Sequence, residues 1–342
     1  MPNLSAAYNF SNPLQALTRE AVISEVIVDH VFKSIKLLQF LMQKGLVDDK
    51  RGGAALTWNN NFGSSPNTVT YDGDDPLPIE SLSNNIYRAG LGWKSYADAL
   101  VLAINDILDN EGSPEAITSL VEGQLDITKM SIVRKIAIDI INNTMSLDPK
   151  GIDGIAGAID DGTIQPVYAN ISRNAIGNFW KSQVNYQVPN TANLLNVIHQ
   201  IDVAASIDGQ RPDGYFTTPT LFATLIESLT PQDRYIQPEM ARTAGGNDLI
   251  FNGNPVYIDN YMPTGVPTPA PNFTIGGTNS FGQFLGLNSS YIKSVINPKA
   301  KFATTDWIAA QNNATVFTRI FARLNLVVPK PSAHFNLYVQ GG

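Results

Sequence analysis

The sequence predicts an α+β fold. Two helical patterns, about Thr18–Lys44 and Pro114–Asn143, flank a turn-rich stretch set between β-prone runs. After Gly151 the texture changes to the mixed helix and strand signals of a compact α/β domain. With 342 residues and 43% hydrophobic content, the chain can form two ordinary domains or one elaborate domain with insertions.

Residues 1–16 are polar, contain Pro2 and Pro13, and read as an extended arm. In the next segment Glu20, Glu25 and Asp29 alternate with Val22, Ile23, Val26, Ile27, Val31 and Phe32. Ile35, Leu37, Leu38, Phe40 and Leu41 continue the pattern, and Gly45 is a stop signal. The apolar positions are too dense for one narrow stripe, which points to two short helices packed against something large. Ala54–Phe62 and the run from Asn85 to Leu102 read as the two strands of an extended hairpin. Its middle is turn-rich, with Gly63-Ser64-Ser65-Pro66, Asp72-Gly73-Asp74-Asp75-Pro76 and Pro78. Such a hairpin has little core of its own and is expected to be stabilised by another chain.

Ser113-Pro114-Glu115 combines an N-cap, a proline at the first helical position and an acid in the first turn. Ile117, Leu120, Val121, Leu125, Ile132, Ile136 and Ile140 extend that helix to about Asn143. It is a rod of roughly 45 Å, with Gly123 as a candidate bend. Gly151–Thr163 is glycine-rich; Thr191–Ser206 is amphipathic; Thr218-Pro219 opens a helix that runs to Leu229. Asp248–Phe251, Asn252-Gly253 and Asn254–Ile258 form a strand–turn–strand signal. Val266–Pro271 reads as a proline-rich surface loop, and Thr315–Val328 and His334–Val339 as strands flanking Pro329-Lys330-Pro331. No internal repeat is visible.

Charged residues make up only 15%, and the 32 asparagines outnumber the 23 Lys plus Arg. A surface of neutral polar groups suits a protein pressed against copies of itself, where each buried charge would need a partner. It suits a glycan-binding or extracellular β protein equally. Zero cysteines exclude disulfides, cysteine zinc sites, iron–sulfur clusters and thiol nucleophiles. His30, His199 and His334 lie beyond helical reach of one another, against a multi-histidine metal site. A net charge of −7 argues against a nucleic-acid reader. Ile132–Ile141 is interrupted by Arg134, Lys135 and Asp139, so no segment is expected to span a membrane. The N-terminus has no basic region followed by an apolar one, against a signal peptide.

The candidate sites have plain structural readings. The glycines of 151–162 lack a following Gly-Lys-Ser/Thr and any strand–GxGxxG–helix context, so a structural turn is expected. Asp72, Asp74, Asp75 and Glu80 resemble part of a calcium loop, but Pro76 and Pro78 occupy ligand and turn positions; a solvated acidic loop is the default. No GxSxG exists, and the adjacent Asp160 and Asp161 would face opposite sides of a strand. His199 reads as a partly buried packing residue. No catalytic, cofactor or metal site is expected.

The order of features is more specific than any motif: arm, helix, projecting hairpin, long helix, glycine-rich segment, compact α/β domain, returning strands. That order resembles the major capsid proteins of tailed bacteriophages, the HK-ninety-seven-like fold. Phe32-Lys33-Ser34 through Lys44-Gly45 is similar to the end of the family's N-terminal segment. Gly52-Gly53 to Trp58, then Tyr71-Asp72-Gly73 to Asp75, is similar to its E-loop hairpin. Gly151–Thr163, with Ile171-Ser172-Arg173 and Trp180, is similar to the opening of its axial domain, and Leu249–Asp259, Asn288–Asn297 and Phe302–Trp307 match its later strands.

The resemblance implies an N-terminal arm and helix (1–49), an E-loop (50–92), a peripheral domain with a spine helix (93–149), an axial domain (150–290) and strands returning to the peripheral domain (291–342). It implies self-assembly into the hexamers and pentamers of an icosahedral shell around phage double-stranded DNA, with encapsulin as the alternative of the same fold. A separate scaffolding protein, a portal and a decoration or cement protein are the implied partners, in a virion assembled in the bacterial cytoplasm. Expected inter-subunit contacts are Trp58, Tyr71, Asp72, Asp74, Asp75 and Glu80 on the E-loop, and Lys129, Arg134 and Lys135 on the spine helix. The stretch from Gly52 to Tyr87 has no lysine, so the lysine–asparagine isopeptide of some relatives is not expected here.

Overall fold

The computed structural model describes residues 36–50, 52–63, 68–75, 85–109, 114–189, 194–206, 209–229, 240–242, 249–262 and 282–340. The predicted arm, the predicted helical turns before Lys36, Glu80 and the proline-rich loop lie outside the described residues. The first elements are α1 (Lys36–Gln43), β1 (Val47–Asp49), β2 (Ala55–Asn61), β3 (Ile86–Gly92), β4 (Lys94–Ala103), α2 (Ile104–Asp109) and α3 (Pro114–Asn142). Next come α4 (Ile155–Ala158), β5 (Val167–Tyr168), β6 (Ile171–Ser172), α5 (Arg173–Ile176), β7 (Gln183–Pro189), α6 (Leu194–Ala205), β8 (Gly214–Thr217) and α7 (Pro219–Leu229). The last are β9 (Met240–Arg242), β10 (Leu249–Phe251), β11 (Asn254–Ile258), β12 (Gly282–Leu287), β13 (Lys293–Thr304), β14 (Ile308–Ala309), β15 (Thr315–Val327) and β16 (Phe335–Gln340).

The chain divides into two compact units. The described residues of the first come from Ser95–Ile136 and Asn297–Arg323. Here β14 runs antiparallel to β15, pairing Ile308 with Phe317, and β4 also pairs with β15. Strand β4 alternates so that Leu100 and Leu102 are buried, and Val121 and Leu125 of α3 and Val316 pack on them. Helix α3 starts at Pro114, as its N-terminal signal predicts. It runs 29 residues, about 44 Å, unbroken through Gly123. Thr128, Ile132 and Ile136 are buried four residues apart, one face of a helical period.

The sequence-predicted strand from Asn85 to Leu102 divides at Trp93. Its first half pairs in the hairpin; its second half is β4 and joins β15. The reason is burial: β4 carries its own apolar face, and a two-stranded hairpin has nothing to cover it with. Trp93 Nε1 donates to the Gly53 carbonyl at 3.1 Å where the two halves part.

The second unit comes from Ser34–Lys94, Ala137–Ile296 and Leu324–Gly342. Its centre is a seven-stranded sheet of order β7-β16-β12-β8-β11-β10-β9, with parallel pairing at β7/β16 and β8/β11 and antiparallel pairing elsewhere. Leu194, Ile198 and Ala205 of α6 and Leu221, Phe222 and Leu225 of α7 share one core with Tyr215, Phe251, Phe284, Phe335 and Leu337. Phe216, one residue along β8 from Tyr215, points to the other face and meets Phe40 of α1 edge-on at 5.4 Å. Strand β8 is therefore buried throughout. The turn between β10 and β11 has Asn252 at φ 49° and Gly253 at φ 79°, the paired left-handed conformations a two-residue hairpin requires.

The glycine-rich stretch forms a close packing of backbone on backbone. Gly154 N–H donates to the Asn143 carbonyl at 3.1 Å, beyond the last turn of α3. A Cβ on Gly154 would overlap the Asp139 carbonyl and lie 2.8 Å and 2.9 Å from those of Asn143 and Ile140. The structural-turn reading thus has a steric cause: only glycine lets this loop approach the helix end.

Candidate functional site: the hairpin and its anchorage

Strands β2 and β3 pair in antiparallel register from Ala55–Gly92 to Asn61–Ile86. Period-two alternation gives the hairpin two unlike faces. Ala89 and Leu91 are buried, with Leu56, Trp58 and Asn60 half-buried beside them. The opposite face presents Thr57, Asn59, Asn61, Ile86 and Arg88 to solvent, and Arg88 donates to Thr57 Oγ1 at 3.1 Å. Three of these five residues are neutral and polar, beside the exposed apolar Ile86 and the charged Arg88.

The base of the hairpin is tied to its own chain. Gly90 N–H donates to the Ala169 carbonyl at 3.0 Å, and Asn170 Nδ2 returns a bond to the Gly90 carbonyl at 3.2 Å. Ala169 and Asn170 have φ values of 50° and 65°, the tight turn between β5 and β6 that turns both groups toward the hairpin. Phe62 meets Trp180 edge-on at 5.4 Å, and Trp180 Nε1 donates to the Tyr168 carbonyl. A hairpin without its own core is therefore held along one face, from Gly90 to Phe62, and open on the other.

Beneath the anchor lies a buried polar network. Arg173 is fully buried and donates Nη2 to the Gly157 and Ala158 carbonyls at 2.8 Å each, and Nη1 to the Asp160 carbonyl. Gly157 and Ala158 are in the last turn of α4, where helix carbonyls lack partners within the helix; the Asp160 carbonyl lies just beyond it and also accepts from Ser182 N–H. The Asp160 carboxylate accepts from Gly162, Ile164 and Gln165 N–H and from the Tyr186 hydroxyl at 2.5 Å. Burial pushes the Arg173 guanidinium down, and neighbouring Asp160 opposes the shift. Burial, then the Asp160 charge, pushes the Tyr186 phenol up. The adjacent pair Asp160 and Asp161 lies in a turn, not a strand, and Asp160 serves as a clamp for loop N–H groups.

A second polar cluster ties α1 to the sheet. Asp213 accepts from Ser289 N–H and Oγ at 2.8 Å and 2.6 Å and pairs with Lys44 at 3.0 Å. Burial raises the Asp213 carboxyl, but these bonds outweigh it and hold the group below its usual range. Nearby His334 is fully buried; its Nδ1 accepts from Asn288 N–H, so Nε2 carries the proton and faces the Tyr291 carbonyl at 3.2 Å. Burial lowers its pKa to about 4. Asp202 is buried on the inner side of α6, where Tyr215 donates to it at 2.9 Å and Asn252 at 2.8 Å; burial pushes its carboxyl up against those bonds.

The sequence-derived contact residues fall as follows. Trp58 is half-buried, and its Nε1 is buried without a hydrogen-bond partner. Tyr71 is 64% exposed. Asp72, Asp74 and Asp75 are exposed in one tight turn, in which Asp75 N–H donates to the Asp72 carbonyl at 2.8 Å. Glu80 lies outside the described residues. On α3, Lys129 approaches Asp126 at 4.0 Å; Arg134 is half-buried and Lys135 exposed. The acids belong to the second unit and the three cations to the first. Among the described residues no three His, Asp or Glu side chains group as metal ligands, and no helix is long and apolar enough to cross a membrane. The Arg173 clamp and buried His334 escape a sequence reading. The local signal in the first case is Asp160-Asp161-Gly162-Thr163, an aspartate poised to accept from N–H groups just ahead of it.

No protein-family model matches the sequence, and no curated protein matches it significantly. Solved structures do match the fold. A cyanophage A-1(L) capsid chain superposes with a TM-score of 0.63 at 11% identity, over 94% of this chain and 97% of its own. A capsid chain of a native GTA particle gives 0.61 at 11% identity, over 99% of both chains. The SrpI encapsulin of Synechococcus elongatus gives 0.56 at 11% identity, over 98% of this chain and 95% of its own. From α1 to β16, the chain has the HK-ninety-seven-like fold of phage capsid proteins.

Proposed function

We propose that the chain is a major capsid protein, which self-assembles into the hexamers and pentamers of an icosahedral shell enclosing phage double-stranded DNA. The observation that carries this reading is the end-to-end correspondence with phage and GTA capsid chains, over 94% and 99% of this chain. The β2–β3 hairpin supports it: one face is held by its own chain, and the other, with Thr57, Asn59, Asn61, Ile86 and Arg88, is exposed. In this reading the hairpin is the E-loop, α3 is the spine of the peripheral domain, and the seven-stranded sheet is the axial domain. The arm reaches a neighbouring subunit, and the protein has a structural rather than an enzymatic role. A separate scaffold, a portal and a decoration protein are its expected partners. It assembles in the bacterial cytoplasm and ends in the virion.

The net charge of −7 suits the wall of a DNA container, where tight phosphate binding would hinder packaging and release. With no lysine between Arg51 and Lys94 and no cysteine, the shell is held without covalent links through the hairpin. The encapsulin match supports a second reading, a protein-filled compartment of the same architecture. Electron microscopy of purified particles tests both. Shells carrying nuclease-resistant double-stranded DNA are expected from infected or induced cells; shells filled only with protein would favour the compartment, and the absence of shells would reject both.

A further inference from the structure

A groove of about 620 Å³ opens where the outer end of the hairpin, the turn Gly177–Phe179 and the loop before β16 come together, all within the second unit. Trp180 N–H donates to the Gly177 carbonyl at 3.1 Å and closes that turn. Trp180 is buried against Phe62, while Asn178 and Phe179 stand in solvent, Phe179 with 64% of its surface exposed. The lining joins the rings of Phe62, Phe179 and Tyr291 to the carboxamides of Asn60, Asn178 and Gln183. These carboxamides are unspent. Asn60 Nδ2 is buried with no hydrogen-bond partner, and among the described residues the side chains of Asn178 and Gln183 have none either.

The chemistry of the lining selects a ligand. A cation would find no carboxylate among the lining residues, and an anion would find only Lys330, whose Nζ lies over the Tyr291 ring at 5.1 Å from its centroid. A wholly apolar ligand would cover the carboxamides and leave them unpaired, at the cost of their hydration. Each carboxamide offers two N–H donors and an oxygen with two lone pairs, and a hydroxyl group likewise both donates and accepts. The C–H bonds of a sugar ring carry slight positive charge and favour the negative face of an aromatic ring such as the exposed Phe179. The volume lies within the range of small-ligand sites, about 300–1,000 Å³. We propose that this groove binds a neutral oligosaccharide, with a sugar ring on Phe179 and its hydroxyls paired to Asn60, Asn178 and Gln183. The inference goes beyond the shell reading and does not rest on it.

The test is calorimetric titration of the unassembled full chain with maltohexaose, cellohexaose and the hexasaccharide of N-acetylglucosamine, each to millimolar concentration. At least one is expected to bind, with saturation transfer from the protein to the sugar C–H protons. Phe179→Ala and Asn178→Ala should each lower that affinity by about tenfold. Both side chains are exposed, so the denaturant midpoint of the two variants should stay where it is, which separates a lost contact from a lost fold. No binding of any of the three would overturn the proposal, and so would binding that both variants leave unchanged. A heparin hexasaccharide and a synthetic peptide of residues 1–16 complete the set. Binding of the heparin fragment alone would show recognition of charge, and binding of the peptide alone would assign the groove to a polypeptide; either result would overturn the saccharide site. Micrographs without shells, alongside saccharide binding by the subunit, would count against the capsid reading alone.

Discussion

Around Tyr215 the seven-stranded sheet gathers Phe251 at 4.9 Å, Phe284 at 6.1 Å and Phe335 at 6.4 Å between ring centroids, all buried under α6 and α7. The β2–β3 hairpin, of the same unit and similar strand length, shows Thr57, Asn59, Asn61, Ile86 and Arg88 to water on one face. Both are antiparallel pairings in large part; what differs is where the stabilisation comes from. The sheet draws on its own chain through area removed from water and offset aromatic contacts. The hairpin draws on it along one face, through Gly90 with Ala169 and Asn170 and, past the outer end of the paired strands, through Phe62 on Trp180. Substitutions in the first should therefore cost subunit stability, and substitutions in the second should cost assembly.

The largest effect is expected in the aromatic core. Phe335 is fully buried, stacks on Phe284 at 6.1 Å and lies against Gly286, where no Cβ would fit. Phe335→Ala should lower the free energy of unfolding by about 3–5 kcal/mol. Denaturant titration read by tryptophan fluorescence of the unassembled subunit checks this. A loss below about 1 kcal/mol would mean the core repacks, and would remove the contrast with the hairpin.

Next is acid sensitivity. His334 has a folded pKa of about 4 against an ordinary 6.5, so below pH 6.5 the unfolded chain takes up a proton that the folded one excludes until about pH 4. Its contribution is thus full above pH 6.5, falls as pH drops toward 4, and levels off below that. The span amounts to about 3 kcal/mol. Protonation would also set an Nδ1–H against the Asn288 N–H that now donates to it. His334→Gln should flatten the stability curve between pH 6.5 and 4 while leaving the subunit weaker at pH 7; an unchanged slope would assign the acid response elsewhere.

Replacing residues 63–84 with Asn-Gly probes the other half of the comparison. Phe62 N–H already donates to the Asn85 carbonyl at 3.0 Å, so the strand ends are in place for a two-residue turn. Subunit stability should change by less than about 1 kcal/mol, while shell formation is lost. Normal shells from this variant would show that the hairpin's outer part is dispensable.

The same contrast explains what was legible in the sequence. Helix α7 starts at Pro219 and the β10–β11 turn sits on Asn252-Gly253, because both are decided by residues adjacent in the chain. The order of elements carried the fold class for the same reason. The departure of β4 from the hairpin was not legible, since it depends on Val316 and α3 far along the chain to cover Leu100 and Leu102. Likewise nothing local marks Arg173 as buried; its burial is set by three carbonyls 13 to 16 residues away, at and just beyond the end of α4. The candidate contacts were placed through the resemblance to an E-loop and a spine helix, which does not tell the hairpin's faces apart, and Trp58 is half-buried on its inner face.

The smallest effect is the most specific to assembly. In the turn at the hairpin's outer part, Asp75 Oδ2 accepts from Asp72 N–H at 3.0 Å and Asp72 Oδ1 from Gly73 N–H at 2.9 Å. Asparagine keeps a carbonyl oxygen at each position, so replacing Asp72, Asp74 and Asp75 with Asn, and Glu80 with Gln, removes charge while leaving acceptors for the turn. We expect the isolated subunit to unfold as before and the shells to dissociate slightly more easily. The partners proposed are Lys129, Arg134 and Lys135 of a neighbouring copy, and exposed pairs of this kind contribute only about 0–1 kcal/mol each. A shell repeats that small difference in every subunit, so it is readable as a shift in the denaturant midpoint of particle dissociation. Because screening shortens the reach of exposed charges to about 3 Å at 1 M salt, the shift should shrink there. Combining the variant with Lys135→Glu should then add little, since the attraction it removes is already gone. A shift that persists in molar salt, or one fully additive with Lys135→Glu, would assign the turn to packing and rule out the charge pairing.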